Sequence, residues 1–230
     1  MNMIIELLQP IYGSEENAVR SLKAYLDSEL KELDINYQIS VQRNHFVVTM
    51  EGEDEEICAN LLYRTFGKRL QKSEGANDVD YKGFISKIDS DKIVVNIGFD
   101  LQISASSLEA LGTGTAGQIA ARFGMILYLP VTVQLSPDFE TVSFSKEQID
   151  QWWAWKKSAT DRIFVNGATR SQIKAVLQKK RHGRDVYGVE KLSLTECVII
   201  CKEKTDGPGI VSSIGKLLPS QMGVLIGGKK

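Results

Sequence analysis

Apolar positions recur with two different periods along this chain, and the places where the period changes divide it into parts. "MIIELLQPIYG" is a short apolar run closed by Gly13, which predicts a strand. Behind Ser14, the residues Val19, Leu22, Tyr25, Leu26, Leu30 and Leu33 recur at helical spacing. Ser14 predicts half a cap, because Asn17 and not Glu or Gln stands three residues on. "INYQISVQ" and "HFVVTMEG" alternate around Arg43-Asn44, the pattern of a hairpin. "DEEICANLLYRTFG" predicts a second helix with acids in its first turn, where the helix dipole favours them. The order β-α-β-β-α predicts an α+β module, ferredoxin-like, over residues 1–77. Residues 68–80, "KRLQKSEGANDVD", are polar, contain Gly75-Ala76-Asn77-Asp78, and predict a linker.

The middle of the chain changes to closely spaced β-rich runs: "GFISKI", "KIVVNIG", "LQIS", "MILYLPVTVQL" and "TVSFS". Gly, Asp and Pro break them, which predicts a small barrel over residues 78–145. Gly83, Ile85, Ile88, Val94-Val95, Gly98, Ile103-Ser104, Gly124, Val131, Val133 and Ser143-Phe144-Ser145 follow one another in an order that resembles the S1 family of oligonucleotide-binding (OB) barrels. The resemblance covers about residues 80–146 and implies an S1-like (OB) β-barrel. RNA-binding members of that family stack bases on aromatics of the second and third strands. They place a His before the Ile-Ser pair and a basic residue before the last strand. Here those positions hold Gln102 and Thr141, and "IDSDKIVVNIG" has no Phe. The usual reading surface is absent from the pattern, so both an RNA-binding and a protein-docking barrel fit it.

The last part, residues 146–230, opens with Ser145 and Gln148 as a capping box before the helix "KEQIDQWWAWKK". "DRIFVNG" predicts a strand, "TRSQIKAVLQKKRHG" a helix and "VYGVEKLSLTECVIICKE" a strand or hairpin. "GIVSSIGKLL" predicts a helix and "MGVLIGG" a strand. A linker helix followed by a βαββαβ-type α+β domain results. As a whole, the chain resembles an uncharacterised archaeal family built from an N-terminal, an S1-like and a C-terminal part, a resemblance that implies no particular activity.

Charge separates the parts further. Residues 1–77 carry 8 basic and 13 acidic side chains, residues 78–155 carry 5 and 10, and residues 156–230 carry 15 and 6, inside a total of −1. A positive third on an acidic chain points to a polyanion partner for that third, or to docking on the acidic parts of the same or a sister chain. No apolar run approaches the roughly 20 residues of a membrane span. The amino-terminal stretch has no basic region and carries Glu6, so no signal peptide is predicted. Three cysteines, Cys58, Cys197 and Cys201, with no C-x-x-C, predict a reducing, cytoplasmic setting.

Candidate chemistry is then limited. "GTGTAG" at 112–117 matches G-x-G-x-x-G, with Asp138 about 20 residues on. The fingerprint also needs a strand before it and a long helix after it. "SSLEAL" reads as a helical turn and "QIAARF" as two turns at most, so a loop between barrel strands is expected. In the helix after Thr169, Ile173, Val176 and Leu177 share one side. At 100° per residue Arg170, Lys174 and Arg181 form a stripe beside it, with Lys179, Lys180 and Arg184 crowding the end. Such a cluster can neutralise phosphates. Trp152 and Trp153 are expected in packing. Trp155, beside Lys156 and Lys157, is a candidate for stacking on a base. "DGPG" before a helix resembles the opening of amino-acid-sensing ACT domains through Asp206 and Pro208-Gly209, so residues 207–209 are a candidate ligand loop. His45 and His182 lie far apart, and no Ser/His/Asp or Cys/His set, metal site or cofactor site is legible. The sequence therefore predicts a non-catalytic protein that associates with RNA or another nucleic acid. A protein-interaction adaptor, and a small-ligand or nucleotide binder using residues 112–117 or 207–209, remain as alternatives.

Overall fold

A computed structural model describes residues 2–72, 80–136, 141–218 and 220–228. Residues 75–78 of the predicted linker and Asp138 lie outside the described residues. The first part runs β1 (Met3–Pro10), α1 (Glu15–Glu29), β2 (Asn36–Gln42), β3 (His45–Glu51) and α2 (Glu55–Phe66). Ser14 accepts from the Asn17 amide at 3.3 Å, the half cap that the sequence allows. Arg43 and Asn44 both take positive φ, 50° and 61°, the geometry of a tight turn whose twist suits a hairpin. The sheet order is β1-β3-β2, all antiparallel. Both helices pack on it, with Leu22, Leu26, Cys58 and Leu62 in its core.

The middle part contains β4 (Tyr81–Ile88), β5 (Lys92–Asn96), β6 (Asp100–Ser104), a 3-10 turn (Ser106–Leu111), α3 (Ala116–Arg122), β7 (Pro130–Leu135) and β8 (Val142–Phe144). The run "MILYLPVTVQL" becomes a strand only from Pro130, later than its composition predicts, because Tyr128 sits at φ 62° and turns the chain. The five strands form one antiparallel sheet, β6-β5-β4-β7-β8. No ladder joins the outer strands β6 and β8 among the described residues, although the two approach each other. The barrel expected from the sequence is thus an open five-stranded sheet at this seam.

Helix α4 (Lys146–Lys157) follows. Its expected capping box is half made: Ser145 accepts from the Gln148 amide at 3.2 Å, but the Gln148 side chain accepts from Thr132 N at 3.2 Å instead. This ties α4 to β7. Trp152, 1% exposed, packs edge-on to Phe144 at 4.7 Å, and Trp153 meets Phe123 at 5.3 Å. The helix read with the C-terminal part is therefore seated on the central sheet.

The last part contains β9 (Arg162–Asn166), α5 (Arg170–Lys179), β10 (Val186–Lys191), β11 (Glu196–Cys201), α6 (Gly207–Ile214) and β12 (Gln221–Leu225). The sheet order is β10-β11-β9-β12, again all antiparallel. In both outer parts the first strand lies beside the third and the third beside the second. The place next to the first strand is filled by β12 in one and by a single bridge, Leu7 to Lys68, in the other. Alternate residues along β9 and β11 face opposite ways. Ile163, Val165, Cys197, Ile199 and Cys201 pack under α5 and α6, while Phe164 and Val198 join the core of the central part. Gly124 and Gly223 mark how closely the parts meet: a Cβ on Gly223 would lie 2.3 Å from the Gly124 carbonyl oxygen. Among the described residues, no helix is long and apolar enough to cross a membrane.

Candidate nucleic-acid interface

Helix α5 is defined at its start by a reciprocal box. Thr169 accepts from the Gln172 amide at 3.3 Å, and the Gln172 side chain accepts from Thr169 N at 2.8 Å. Ile173 and Leu177 are buried under it, so the opposite side faces solvent. Arg170, Lys174, Lys179, Lys180, Arg181 and Arg184 are all exposed. Among the described residues none of the six makes an ion pair. The predicted stripe needs one correction. The helix stops at Lys179, and Arg181 takes φ 62° before a 3-10 turn, so Arg181 leaves the Arg170–Lys174 line. The cations form a cluster at the carboxyl end of α5 and the turn beyond it. Their position also offsets the helix dipole, worth about 0.3–1 kcal/mol per charge.

The turn is fixed by a hydrogen-bonded chain that sequence spacing does not reveal. His182 Nδ1 lies 2.8 Å from Asp185 Oδ2, and its Nε2 lies 2.9 Å from Ser213 Oγ on α6. A Ser/His/Asp set, which the sequence did not show, is therefore brought together across 31 residues. This order of partners is the one that makes a serine nucleophilic. Ser213 lies in the last turn of α6, however, where carbonyl groups and the negative end of the dipole point, not the amide donors that an oxyanion requires. These hydrogen bonds tie the basic turn to α6.

The α4 candidates are engaged inside the protein. Trp155 is half-buried, with its ring 5.8 Å from Phe164 and the Arg162 guanidinium 5.3 Å from its centroid. Lys156 donates to the carbonyls of Ile226 at 2.9 Å and Arg122 at 3.3 Å. Burial, and then the nearby Arg122 charge, lower its pKa. Lys157 is exposed, with its ammonium 5.8 Å from the Trp153 ring. The outward side of β5 and β6 is polar. Lys92 donates to Gln102 at 3.3 Å and Asn96 to Asp100 at 2.7 Å, in place of stacking aromatics.

Both glycine loops make hydrogen bonds within the protein. Residues 112–117 follow a 3-10 turn and run into the first turn of α3, a helix of 7 residues. Arg122 spans the loop, donating to Thr113 O at 2.9 Å. At 207–209, the buried Asp161 accepts from Gly207 N at 3.0 Å and from Gly227 N at 2.9 Å. The amide at the start of α6 is thus occupied from within.

Where the three parts meet lies a polar hub that the sequence does not announce. Glu196, at the start of β11, is fully buried. Its carboxylate accepts from Gln9 Nε2 (3.1 and 3.2 Å), Thr195 Oγ1 (2.8 Å), Thr195 N (3.1 Å) and Tyr12 OH. Burial raises the Glu196 pKa, and these donors oppose the rise. Tyr12 is pushed up in turn, by burial and by Glu196. Its ring stacks on Tyr128 of the central part at 4.0 Å. Two residues away, Leu194 enters the core of the first part.

These features define a three-part α+β protein with an exposed basic turn and interlocked domains. Family models match the parts in order: the DUF2110 N-terminal domain over residues 4–72, the DUF2110 central domain over 76–156 and the DUF2110 C-terminal domain over 160–226. The chain belongs to this three-part family. No curated protein and no solved structure matches it.

Proposed function

We propose that this is a cytoplasmic, non-catalytic nucleic-acid-associated protein whose C-terminal part grips the phosphate backbone. The observation that carries the reading is the set of six exposed cations, Arg170, Lys174, Lys179, Lys180, Arg181 and Arg184, with no acid paired to any of them among the described residues. Cations held this way release counterions from a phosphate chain, giving affinity that is independent of sequence and falls with salt. In this reading the outer parts are ferredoxin-like. The strand order, with α3 inserted between the third and fourth strands of the central sheet, supports an S1-like barrel. Its polar β5–β6 side, without aromatics, favours a role in orienting the strand over stacking its bases.

The test is a binding titration of the full chain against labelled single-stranded RNA, duplex RNA and DNA. Binding at low salt to one of them, weakening steeply as salt rises, is expected. No binding to any of the three at low salt would overturn the reading and turn the search toward a protein partner.

A further inference from the structure

A cleft of about 740 Å³ opens between the first and central parts, far from α5 in the chain. Its size suits a small organic ligand. Its charge is opposite to that of the domain that builds it. Residues 1–77 carry 13 acids and 8 lysines and arginines; one of those acids, Glu6, and four of those cations, Arg43, Lys68, Arg69 and Lys72, line the cleft. Arg69 pairs with Glu6 at 3.1 Å. Arg43 and Lys72 have no acid partner among the described residues.

The walls are held in place. Arg43 stands in the positive-φ turn between β2 and β3, and the Asn44 carbonyl of that turn accepts from Ile11 N at 2.8 Å. The segment leading to Lys72 is pinned by Leu70 N donating to Ile97 O at 3.0 Å. Gly98 allows this approach: its φ is +121°, and a Cβ there would lie 2.2 Å from Leu70 O. The Lys72 ammonium sits 5.4 Å from the centre of the Phe99 ring, and Tyr63 of α2 also lines the cleft. The anchored backbone leaves only the two exposed side chains to be ordered when an anion binds.

We infer that this cleft takes a phosphate-bearing small molecule of nucleotide size, with its phosphates against Arg43 and Lys72 and its ring or sugar toward Phe99 and Tyr63. A nucleic-acid strand would offer the same phosphate chemistry, so the experiment separates the two sources. The full chain is titrated calorimetrically with ADP, pyrophosphate, adenosine and a short single-stranded RNA. ADP is expected to bind more tightly than pyrophosphate, and adenosine not at all. The variant Arg43→Glu/Lys72→Glu, checked for folding by circular dichroism, is expected to weaken ADP by about tenfold or more. If that pair unfolds, Arg43→Glu alone, in an exposed turn, serves. Reversing Lys179, Lys180 and Arg181 to Glu is expected to leave ADP binding unchanged, which keeps this inference separate from the function proposed above. Absence of ADP and pyrophosphate binding at millimolar concentration would overturn it. So would undiminished binding in the folded variant, or RNA binding in the cleft without ADP binding.

Discussion

At Glu196 a buried carboxylate is held at the junction of three domains by four donor groups, from Gln9, Tyr12 and Thr195. Removing a donor from a buried charge costs about 1.5–3 kcal/mol, so Tyr12→Phe is expected to lower unfolding stability by that amount in a denaturant titration. It should also drive the Glu196 pKa further up, since the lost hydrogen bond opposed the rise. A carboxyl raised in the folded state holds its proton more tightly there than in the unfolded chain. Its contribution to stability is therefore present at low pH and lost as pH rises from the ordinary carboxylate range through the folded value. The stability of the wild type minus that of Glu196→Gln should accordingly shrink as pH rises through that interval. A difference that grows with pH would mean the donors outweigh burial. None of this cluster was legible in the sequence, because Gln9 and Tyr12 meet Glu196 across 187 and 184 residues. Only the residue types hinted at it, as a Glu beginning the apolar strand "ECVIIC" must find partners if buried.

Among the elements, the β10–β11 hairpin bears the assembly. Its tip carries Leu194 into the core of the first part and Leu192 against that of the central part. Leu194→Ala is expected to cost about 2–5 kcal/mol and, because the side chain joins two domains, to split a single unfolding transition into two. A cooperative transition of undiminished midpoint would show that the hairpin is not the link. Helix α5 rests on its cap, and Thr169→Ala should cost about 1 kcal/mol in the same assay. Local signals of this kind were readable. The Ser14 half cap, the Arg43-Asn44 turn and the β-α-β-β-α order all follow from neighbouring residues. Failures occurred where a distant contact or a single left-handed residue decides. Gln148 turned from its own cap to Thr132, Tyr128 delayed β7, and a left-handed Arg181 ended the helix on which the basic stripe was drawn. Trp155 shows the same limit, since helical spacing tells which face it occupies but not that Phe164 and Arg162 lie against it.

For the whole molecule, docking decides which surfaces remain for a partner. The helix-free face of the C-terminal sheet is spent on the central part through Phe164 and Val198. That leaves the helix side, and there the six cations gather. The charge asymmetry along the chain pointed to this part, and the structure gives it a location: the end of α5 and the turn that His182, Asp185 and Ser213 hold against α6. The most direct measurement is the salt dependence of nucleic-acid affinity for the full chain and for the Lys179→Glu/Lys180→Glu/Arg181→Glu variant, between about 50 and about 200 mM salt. A steep slope in the wild type, with both affinity and slope greatly reduced in the folded variant, is the expected result. Equal affinities and slopes for the two proteins would contradict the account.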